Sequence, residues 1–83
     1  MVFIFLLEVL FVSVFADRLK KARKAKGFTQ KAMAERLDMQ EASYQKYEYV
    51  MREPNHAITV KIADILDVSV DYLLGRTDNP RWH

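Results

Sequence analysis

The sequence contains no cysteine and only two glycines, two prolines and two histidines. The absence of cysteine excludes disulfides, a thiolate nucleophile and cysteine-ligated zinc. His56 and His83 are too far apart in the chain to share a turn of helix, so the sequence indicates no metal site. Because glycine and proline are scarce and no segment is repetitive, we predict that the chain beyond residue 16 is continuously folded.

A catalytic arrangement is also lacking. The sequence has no Ser/His/Asp set in a plausible order, no glycine-rich phosphate loop and no metal-ligand spacing of histidines and carboxylates. Its 83 residues suffice for one small domain with a single core, which leaves little room for an enclosed active-site cleft. We therefore expect a protein that is not an enzyme and that uses no cofactor.

Charge is distributed unevenly, although the net charge is only +2. Residues 17–40 carry eight lysines and arginines against three acidic residues, whereas residues 41–83 carry five against seven. Clustered cations raise the local positive potential, so the basic half is the candidate surface for an anionic partner. For any single side chain in the run from Arg18 to Lys26, the default explanation is a solvated helix face, and a direct contact to phosphate is the second one.

Hydrophobic periodicity and capping residues predict an all-α fold of five helices. The predicted helices cover residues 17–26, 30–38, 41–50, 57–66 and 70–74. Thr29, Asn55 and Ser69 stand where N-caps belong, and Gly27 and Gly75 end the first and last helices. The sequence thus divides into an apolar extension (residues 1–16), a helical domain (17–76) and a C-terminal tail (77–83).

The second and third predicted helices form the pair with functional meaning. They are joined by a turn of about three residues, and helices joined so tightly cross steeply. The second helix of such a pair can enter the major groove of DNA, which is about 12 Å wide, and present its first turn to base edges. Tyr44 and Tyr47 then take the inward positions of this helix, where we expect them to belong to the core.

Residues near the start of the third predicted helix are candidates for contact with base edges. They are Gln40, Glu41, Ala42, Gln45 and Lys46. Glutamine pairs with adenine, lysine with guanine, and glutamate accepts a hydrogen bond from cytosine. For Glu41 an equally good explanation is that its charge stabilises the helix N-terminus. The residues expected to contact phosphate are Gln30, Thr29, Lys31 and Arg52.

Several spaced motifs resemble the Cro and lambda-repressor-like helix-turn-helix regulators, also called the xenobiotic-response-element type. The matching stretches are RLKKARKAKGFTQKAMAERL, SYQKYE, REP, VKIADIL and VSVDYLLGRTD. The resemblance extends from about Phe15 to Asp78 and implies a five-helix, lambda-repressor-like domain. It further implies a homodimer that binds palindromic operators on double-stranded DNA.

The resemblance also implies roles for individual residues. Gln30 matches a glutamine that contacts phosphate and braces the recognition helix. Arg23 and Glu48 match an internal pair that ties the first helix to the third, which is a structural role. The positions from which family members contact bases are matched by Gln40, Glu41, Ala42 and Lys46.

The chain departs from the family pattern at three turns. Val50 stands where the family commonly has glycine after the recognition helix, and Asp38 and Asp67 replace glycines at two other helix ends. A β-branched residue fits a left-handed conformation poorly, whereas aspartate tolerates it better. We expect that the third helix either continues past Val50 or ends under strain.

The first fifteen residues, MVFIFLLEVLFVSVF, include 13 apolar side chains, and both helix and strand remain possible for them. As a membrane span the segment is short, about 22 Å against about 30 Å of hydrocarbon. As a signal peptide it lacks a basic start. Burial in a small soluble domain predicts self-association. Alternatively, Val14 marks the natural start, and residues 1–13 are a translated leader.

Our hypothesis from the sequence is a cytoplasmic, sequence-specific DNA-binding transcriptional regulator, and a repressor in particular. It would bind as a homodimer to half-sites about 34 Å apart. One alternative is an antitoxin that contacts DNA and binds a toxin. Another is a helix-turn-helix module that binds protein and is held on a membrane through residues 1–16. No small-molecule ligand is predicted.

Deletion of residues 1–13 should leave the fold of the monomer and the preference for DNA sequence intact, because the predicted helical domain lies entirely after them. Circular dichroism and site selection on the full-length and shortened chains measure both properties, with the N-terminus of each verified by mass spectrometry. A shortened chain that cannot fold would contradict the assignment of this segment outside the core domain.

Overall fold

A computed structural model describes the backbone of residues 2–81 and the side chains of residues 13–81. Its helices are α1 (Val2–Ala25), α2 (Gln30–Arg36), α3 (Glu41–Glu48), α4 (His56–Leu66) and α5 (Val70–Leu73). The described backbone contains no strand. The predicted all-α class with five helices is therefore confirmed. The last two residues of the predicted C-terminal tail (77–83), Trp82 and His83, lie outside the described residues.

The helix starts follow from side chains that cap the first free backbone N–H groups. The hydroxyl of Thr29 accepts from the N–H of Ala32 at 3.0 Å. In the same way the amide oxygen of Asn55 caps α4 and the hydroxyl of Ser69 caps α5. All three N-caps are where the sequence predicts them, since Thr, Asn and Ser satisfy donors that an apolar residue would leave unpaired.

The helix α1 is longer than predicted, because its backbone begins at Val2 and not near Asp17. For the extension the choice between helix and strand is thus decided in favour of helix. Phe15 and Ala16 are buried in the core, so the core begins two residues before the predicted domain boundary. Within the described part of the chain, no helix combines the length and the apolar character needed to cross a membrane.

The core lies where α1, α2, α3, α4 and α5 converge. The largest fully buried side chains are Leu19, Met33, Tyr44, Ile62, Leu66 and Leu73. Tyr44 and Tyr47 are both buried, as predicted, and their rings meet edge to face with centroids 6.3 Å apart. Truncation of such fully buried side chains typically costs about 2 to 5 kcal/mol, so this cluster sets the position of α3 against the rest.

The segment after α5 has no helix, but it is bound to the domain through Arg18. One guanidinium nitrogen of Arg18 donates to the carbonyl oxygens of Tyr72 and Thr77, at 3.1 and 2.7 Å, and the other lies 2.8 Å from Asp78 Oδ1. The guanidinium also stacks on the Tyr72 ring. The sequence interpretation of residues 77–83 as a tail gave no hint of these contacts.

All five described helices end in the same backbone geometry. A residue with positive φ follows each helix, and the next N–H donates to a carbonyl five residues earlier, for example Met51 to Lys46 at 3.0 Å. This arrangement satisfies carbonyls that a helix end otherwise leaves free. The residues with positive φ are Gly27, Asp38, Val50, Asp67 and Gly75.

Val50 is the exceptional member of this set, with φ of 61° in a β-branched residue. Of the two expectations for this position, the strained end is observed, because α3 ends at Glu48. At Gly75, by contrast, both the backbone conformation and the lack of space require glycine. It has φ of 79°, and a Cβ there would lie only 2.7 Å from Val14 Cγ1.

We expect Val50→Gly to stabilise the protein by about 1 kcal/mol, because a non-glycine residue in the left-handed region costs about 1 to 3 kcal/mol and glycine forfeits part of that gain through backbone entropy. The Val50 side chain is 42% exposed, so little burial is lost. Urea denaturation measures the change. Val50→Ala is the matched control, and equal stabilisation by alanine would show that strain at φ is not the cause.

Candidate nucleic-acid interface

The helix α3 has one face buried in the domain and the opposite face open to solvent. Tyr44, Tyr47 and Glu48 are buried. At the helical spacing of 3.6 residues per turn, the remaining positions of the first two turns fall together on the other side. Glu41, Ala42 and Lys46 are exposed and Gln45 is half-buried on this outer face.

The five candidates for base contact therefore lie on one continuous surface. Gln40 is exposed and precedes α3 as its N-cap residue, yet its side chain makes no capping hydrogen bond. Lys46 makes no ion pair with any residue in the described range 13–81. Gln45 differs, because its amide nitrogen donates to Gln30 Oε1 at 3.0 Å. Gln40 and Lys46 have the side chains most available to a partner.

The four candidates for phosphate contact are placed less uniformly. Lys31 and Arg52 are exposed, at the start of α2 and in the loop after α3. Thr29 uses its hydroxyl to cap α2. Gln30 donates its amide to Glu48 Oε1 at 3.1 Å and is half-buried. The side chains of Thr29 and Gln30 are therefore engaged within the domain. Their backbone N–H groups, at the start of α2, remain suited to a phosphate oxygen.

Two cations of the basic run in α1 are engaged by contacts within the domain. Arg18 binds the segment after α5, and Arg23 is buried with only 7% of its surface exposed. Lys21 lies 3.2 Å from the carboxylate of Asp17. The positive potential of this run comes chiefly from its remaining exposed lysines, Lys20, Lys24 and Lys26.

A buried ion pair supports α3 from beneath. Arg23 Nε lies 2.6 Å from Glu48 Oε2, and Arg23 Nη2 donates to Glu48 Oε1 at 3.1 Å. Arg23 Nη1 also donates to the carbonyl oxygen of Phe28 at 2.8 Å. The hydroxyl of Tyr44 donates to the same carboxylate. The Glu48 carboxylate thus joins α1 to α3, and the Arg23 guanidinium joins both to the loop before α2.

The protonation of this cluster follows from its contacts. Burial would raise the pKa of the Glu48 carboxyl, but hydrogen bonds from Arg23, Tyr44 and Gln30 outweigh burial and hold that pKa below its ordinary value. The hydrogen bond to Glu48 raises the pKa of the Arg23 guanidinium. Burial, with the hydrogen bond to Glu48, raises the pKa of the Tyr44 hydroxyl. The pair is therefore fully ionised at neutral pH, and Tyr44 remains a donor.

Hydrogen bonds continue from this cluster to the outer face of α3. Glu48 accepts from Gln30, Gln30 accepts from Gln45, and the Gln45 amide also lies 3.5 Å from Glu41 Oε2. A buried charge thus orients two glutamines at the surface. Neither the Tyr44 hydroxyl as a donor nor Gln45 as the partner of Gln30 was predicted from the sequence. The four-residue spacing of Tyr44 and Glu48 on one helix was a usable signal for the first.

A family model described as helix-turn-helix (HTH_3) matches residues 19–73. The HTH-type transcriptional regulator YqaE of Bacillus subtilis, itself uncharacterized, is 43% identical over 68 residues, which cover 82% of this chain and 59% of that protein. The cryptic phage CTXphi transcriptional repressor RstR of Vibrio cholerae is 43% identical over 60 residues, covering 72% of this chain and 54% of RstR.

The fold is also similar to a solved structure, that of the restriction-modification controller protein C.AhdI from Aeromonas hydrophila. The TM-score is 0.69 at 26% identity, and the match covers 75% of this chain and 94% of C.AhdI. The chain thus spans nearly the whole of C.AhdI but only somewhat more than half the length of YqaE and of RstR.

Replacement of Glu48 by glutamine should destabilise the protein by about 3 kcal/mol at pH 7, because it leaves Arg23 buried without its counter-charge. The folded-state pKa of Glu48 is depressed. Its stabilisation is therefore complete above the unfolded value of about 4.3 and is lost as pH falls through the folded-state pKa. The gap between native chain and Glu48→Gln should consequently narrow below about pH 4.

Urea denaturation of both chains from pH 7 to pH 3 measures this gap. Glu35→Gln is the matched control, since Glu35 is an exposed carboxylate on α2. It should change stability little at any pH. A gap between the native chain and Glu48→Gln that stays constant down to pH 3 would contradict the assignment of the depressed pKa to Glu48.

Proposed function

Since this chain belongs to the HTH_3 helix-turn-helix family, we propose that it is a sequence-specific DNA-binding transcriptional regulator with α3 as its recognition helix. The observation that carries the proposal is the division of α3 into a buried and an open face. Tyr44, Tyr47 and Glu48 hold the helix, which leaves Gln40, Glu41 and Lys46 exposed on the outer side. A helix presented in this way fits the width of the major groove.

The exposed groups match the hydrogen-bond pattern of base edges. Lysine donates to the two acceptors of guanine, and glutamine pairs with adenine. Lys46 and Gln40 would therefore make the favourable contacts that select a base. A carboxylate at Glu41 disfavours bases that present only acceptors and would repel a phosphate placed beside it. Each good pair discriminates against a wrong base by about 1 to 3 kcal/mol.

Contacts to phosphate would position the helix in the groove. Lys31 and Arg52 are both exposed. Lys31 lies at the start of α2, before the recognition helix in the sequence, and Arg52 lies in the loop after it. The backbone N–H groups at Thr29 and Gln30 add donors without charge. Phosphate contacts supply most of the sequence-independent affinity, so binding should weaken steeply as salt concentration rises.

A homodimer on a palindromic operator is the assembly that we propose. One recognition helix reads few base pairs, and two copies on half-sites about 34 Å apart multiply the discrimination. By analogy with RstR, which is named a transcriptional repressor, we propose repression by occupation of the operator. Because the proposed target is DNA, we also propose a cytoplasmic location.

Selection of bound sites from random duplex DNA tests the proposal. Enrichment of one inverted repeat supports it, with half-site centres spaced by one helical turn or a multiple of one. Recovery of unrelated sequences with affinity that depends only on salt would contradict sequence-specific recognition. A reporter gene placed behind the selected operator then distinguishes repression from activation.

Lys46→Ala should weaken binding to the selected operator by about 1 to 3 kcal/mol and should affect unrelated duplexes much less, because the lost contact is to a base. Titration by fluorescence anisotropy against both duplexes measures the difference. Lys61→Ala is the matched control, since Lys61 is an exposed lysine on a different helix, α4. An equal loss on operator and unrelated DNA would assign Lys46 to phosphate instead.

A further inference from the structure

The amide of Gln30 has its orientation set by a buried charge. The ionised Glu48 carboxylate can only accept hydrogen bonds. The group of Gln30 beside it must therefore be the amide nitrogen, which donates to Glu48 Oε1 at 3.1 Å. The carbonyl oxygen of Gln30 is left for a second contact, and that oxygen can only accept.

Gln45 on α3 takes its orientation from Gln30 in turn. Its amide nitrogen donates to Gln30 Oε1 at 3.0 Å, and the same nitrogen lies 3.5 Å from Glu41 Oε2. An amide nitrogen carries two hydrogens, so both donors of Gln45 have an acceptor of the domain within reach. Its carbonyl oxygen, in contrast, makes no hydrogen bond within residues 13–81. Gln45 therefore has an acceptor, and not a donor, available to a partner.

This orientation of the Gln45 amide changes which bases it can bind. A glutamine that pairs with adenine uses both ends of its amide, the nitrogen as donor to N7 and the oxygen as acceptor from N6. An oxygen alone accepts from any exocyclic amino group in the major groove, and both adenine N6 and cytosine N4 are such groups. Guanine O6 and thymine O4 would place a second acceptor against it. The available oxygen therefore discriminates amino bases from keto bases and does not separate adenine from cytosine.

The neighbouring side chains sort the outer face of α3 by polarity. Glu41 is exposed one turn before Gln45, and its carboxylate also accepts hydrogen bonds. At a spacing of four residues, Glu41 and Gln45 share one stripe of the helix. Lys46, which can only donate, lies about 100° around the helix axis from Gln45. The outer face thus has an acceptor edge beside a donor.

We propose that Gln45, held by Gln30, selects an amino base over a keto base at one position of each half-site. This selectivity rests on the proposed function and specifies the chemistry by which part of the operator is recognised. Adenine or cytosine would occupy that position on the strand that Gln45 contacts. Gln30 is a positioning residue here, because it acts on the base through Gln45.

The hydrogen bonds beneath Gln45 keep this orientation during binding. If the Gln45 amide turned to donate to adenine N7, it would take its donor from Oε1 of the half-buried Gln30. If Gln30 turned as well, its carbonyl oxygen would face the Glu48 carboxylate. A polar atom that loses its partner away from water is costly, so neither rotation is favoured.

Site selection from random duplex DNA with the native chain and with Gln45→Met tests the proposal. At one position of the native half-site, adenine and cytosine together should exceed guanine and thymine by roughly tenfold. Methionine is similar in length and has no amide, so Gln45→Met should lose this preference and retain those at other positions. An unchanged preference at every position would overturn the proposal.

The variant Gln30→Met tests the positioning in the same assay. It removes the acceptor that holds Gln45, whose amide can then pair with adenine through both of its ends. The position should narrow from adenine or cytosine to adenine, a change that a loss of stability alone would not produce. Retention of cytosine there would overturn the role of Gln30. Circular dichroism verifies that both variants are folded.

Nitrogen relaxation of the side-chain amides tests the orientation in the free protein. The amides of Gln30 and Gln45 should be as rigid as the helix backbone. Gln40, whose side chain makes no capping hydrogen bond, is the internal control and should be mobile. Gln30→Met should make the Gln45 amide mobile as well. Equal mobility of all three amides in the native chain would overturn the proposal without any DNA.

The results distinguish a failure of this selectivity from a failure of the proposed function. If the native chain enriches no inverted repeat, the proposed function fails and the selectivity with it. If the native chain enriches a repeat but Gln45→Met leaves every base preference unchanged, only the selectivity fails.

Discussion

The carboxylate of Glu48 is the contact on which the position of α3 and its outer face depends. It accepts hydrogen bonds from Arg23, Tyr44 and Gln30, and so it connects α1 and α2 to the helix that is presented outward. A buried carboxylate is tolerated only when its charge is balanced and its oxygens are saturated with donors. Here both conditions are met, and no described buried side-chain nitrogen or oxygen lacks a partner.

The consequence of this contact reaches the surface through Gln30. Its amide is oriented by Glu48, and its oxygen in turn holds Gln45 on the outer face of α3. A side chain oriented before binding loses less conformational entropy when it meets a base. The outer face thus combines oriented groups such as Gln45 with unrestrained ones such as Lys46, and the second kind retains freedom to adapt to the groove.

The helix ends show how the fold tolerates an unfavourable residue. Each of the five described helices ends with a residue of positive φ, and the chain supplies glycine at only two of them. Asp38 and Asp67 adopt this conformation at modest cost, while Val50 adopts it at a greater one. The strained conformation of Val50 persists because the buried side chains of Tyr44, Tyr47 and Glu48 fix the position of α3. The chain therefore turns away from α3 directly after Glu48.

Local patterns in the sequence determined the helical class, the N-caps at Thr29, Asn55 and Ser69, and the inward tyrosines, because periodicity and capping act over a few residues. The resemblance to a known family implied the pairing of Arg23 with Glu48, but only the tertiary structure decided that Arg18 binds the segment after α5. Arg18 and Arg23 look alike in a basic run, yet one binds a segment more than fifty residues away and the other a buried carboxylate. Such partners are selected by packing between distant parts of the chain, and no local pattern specifies them.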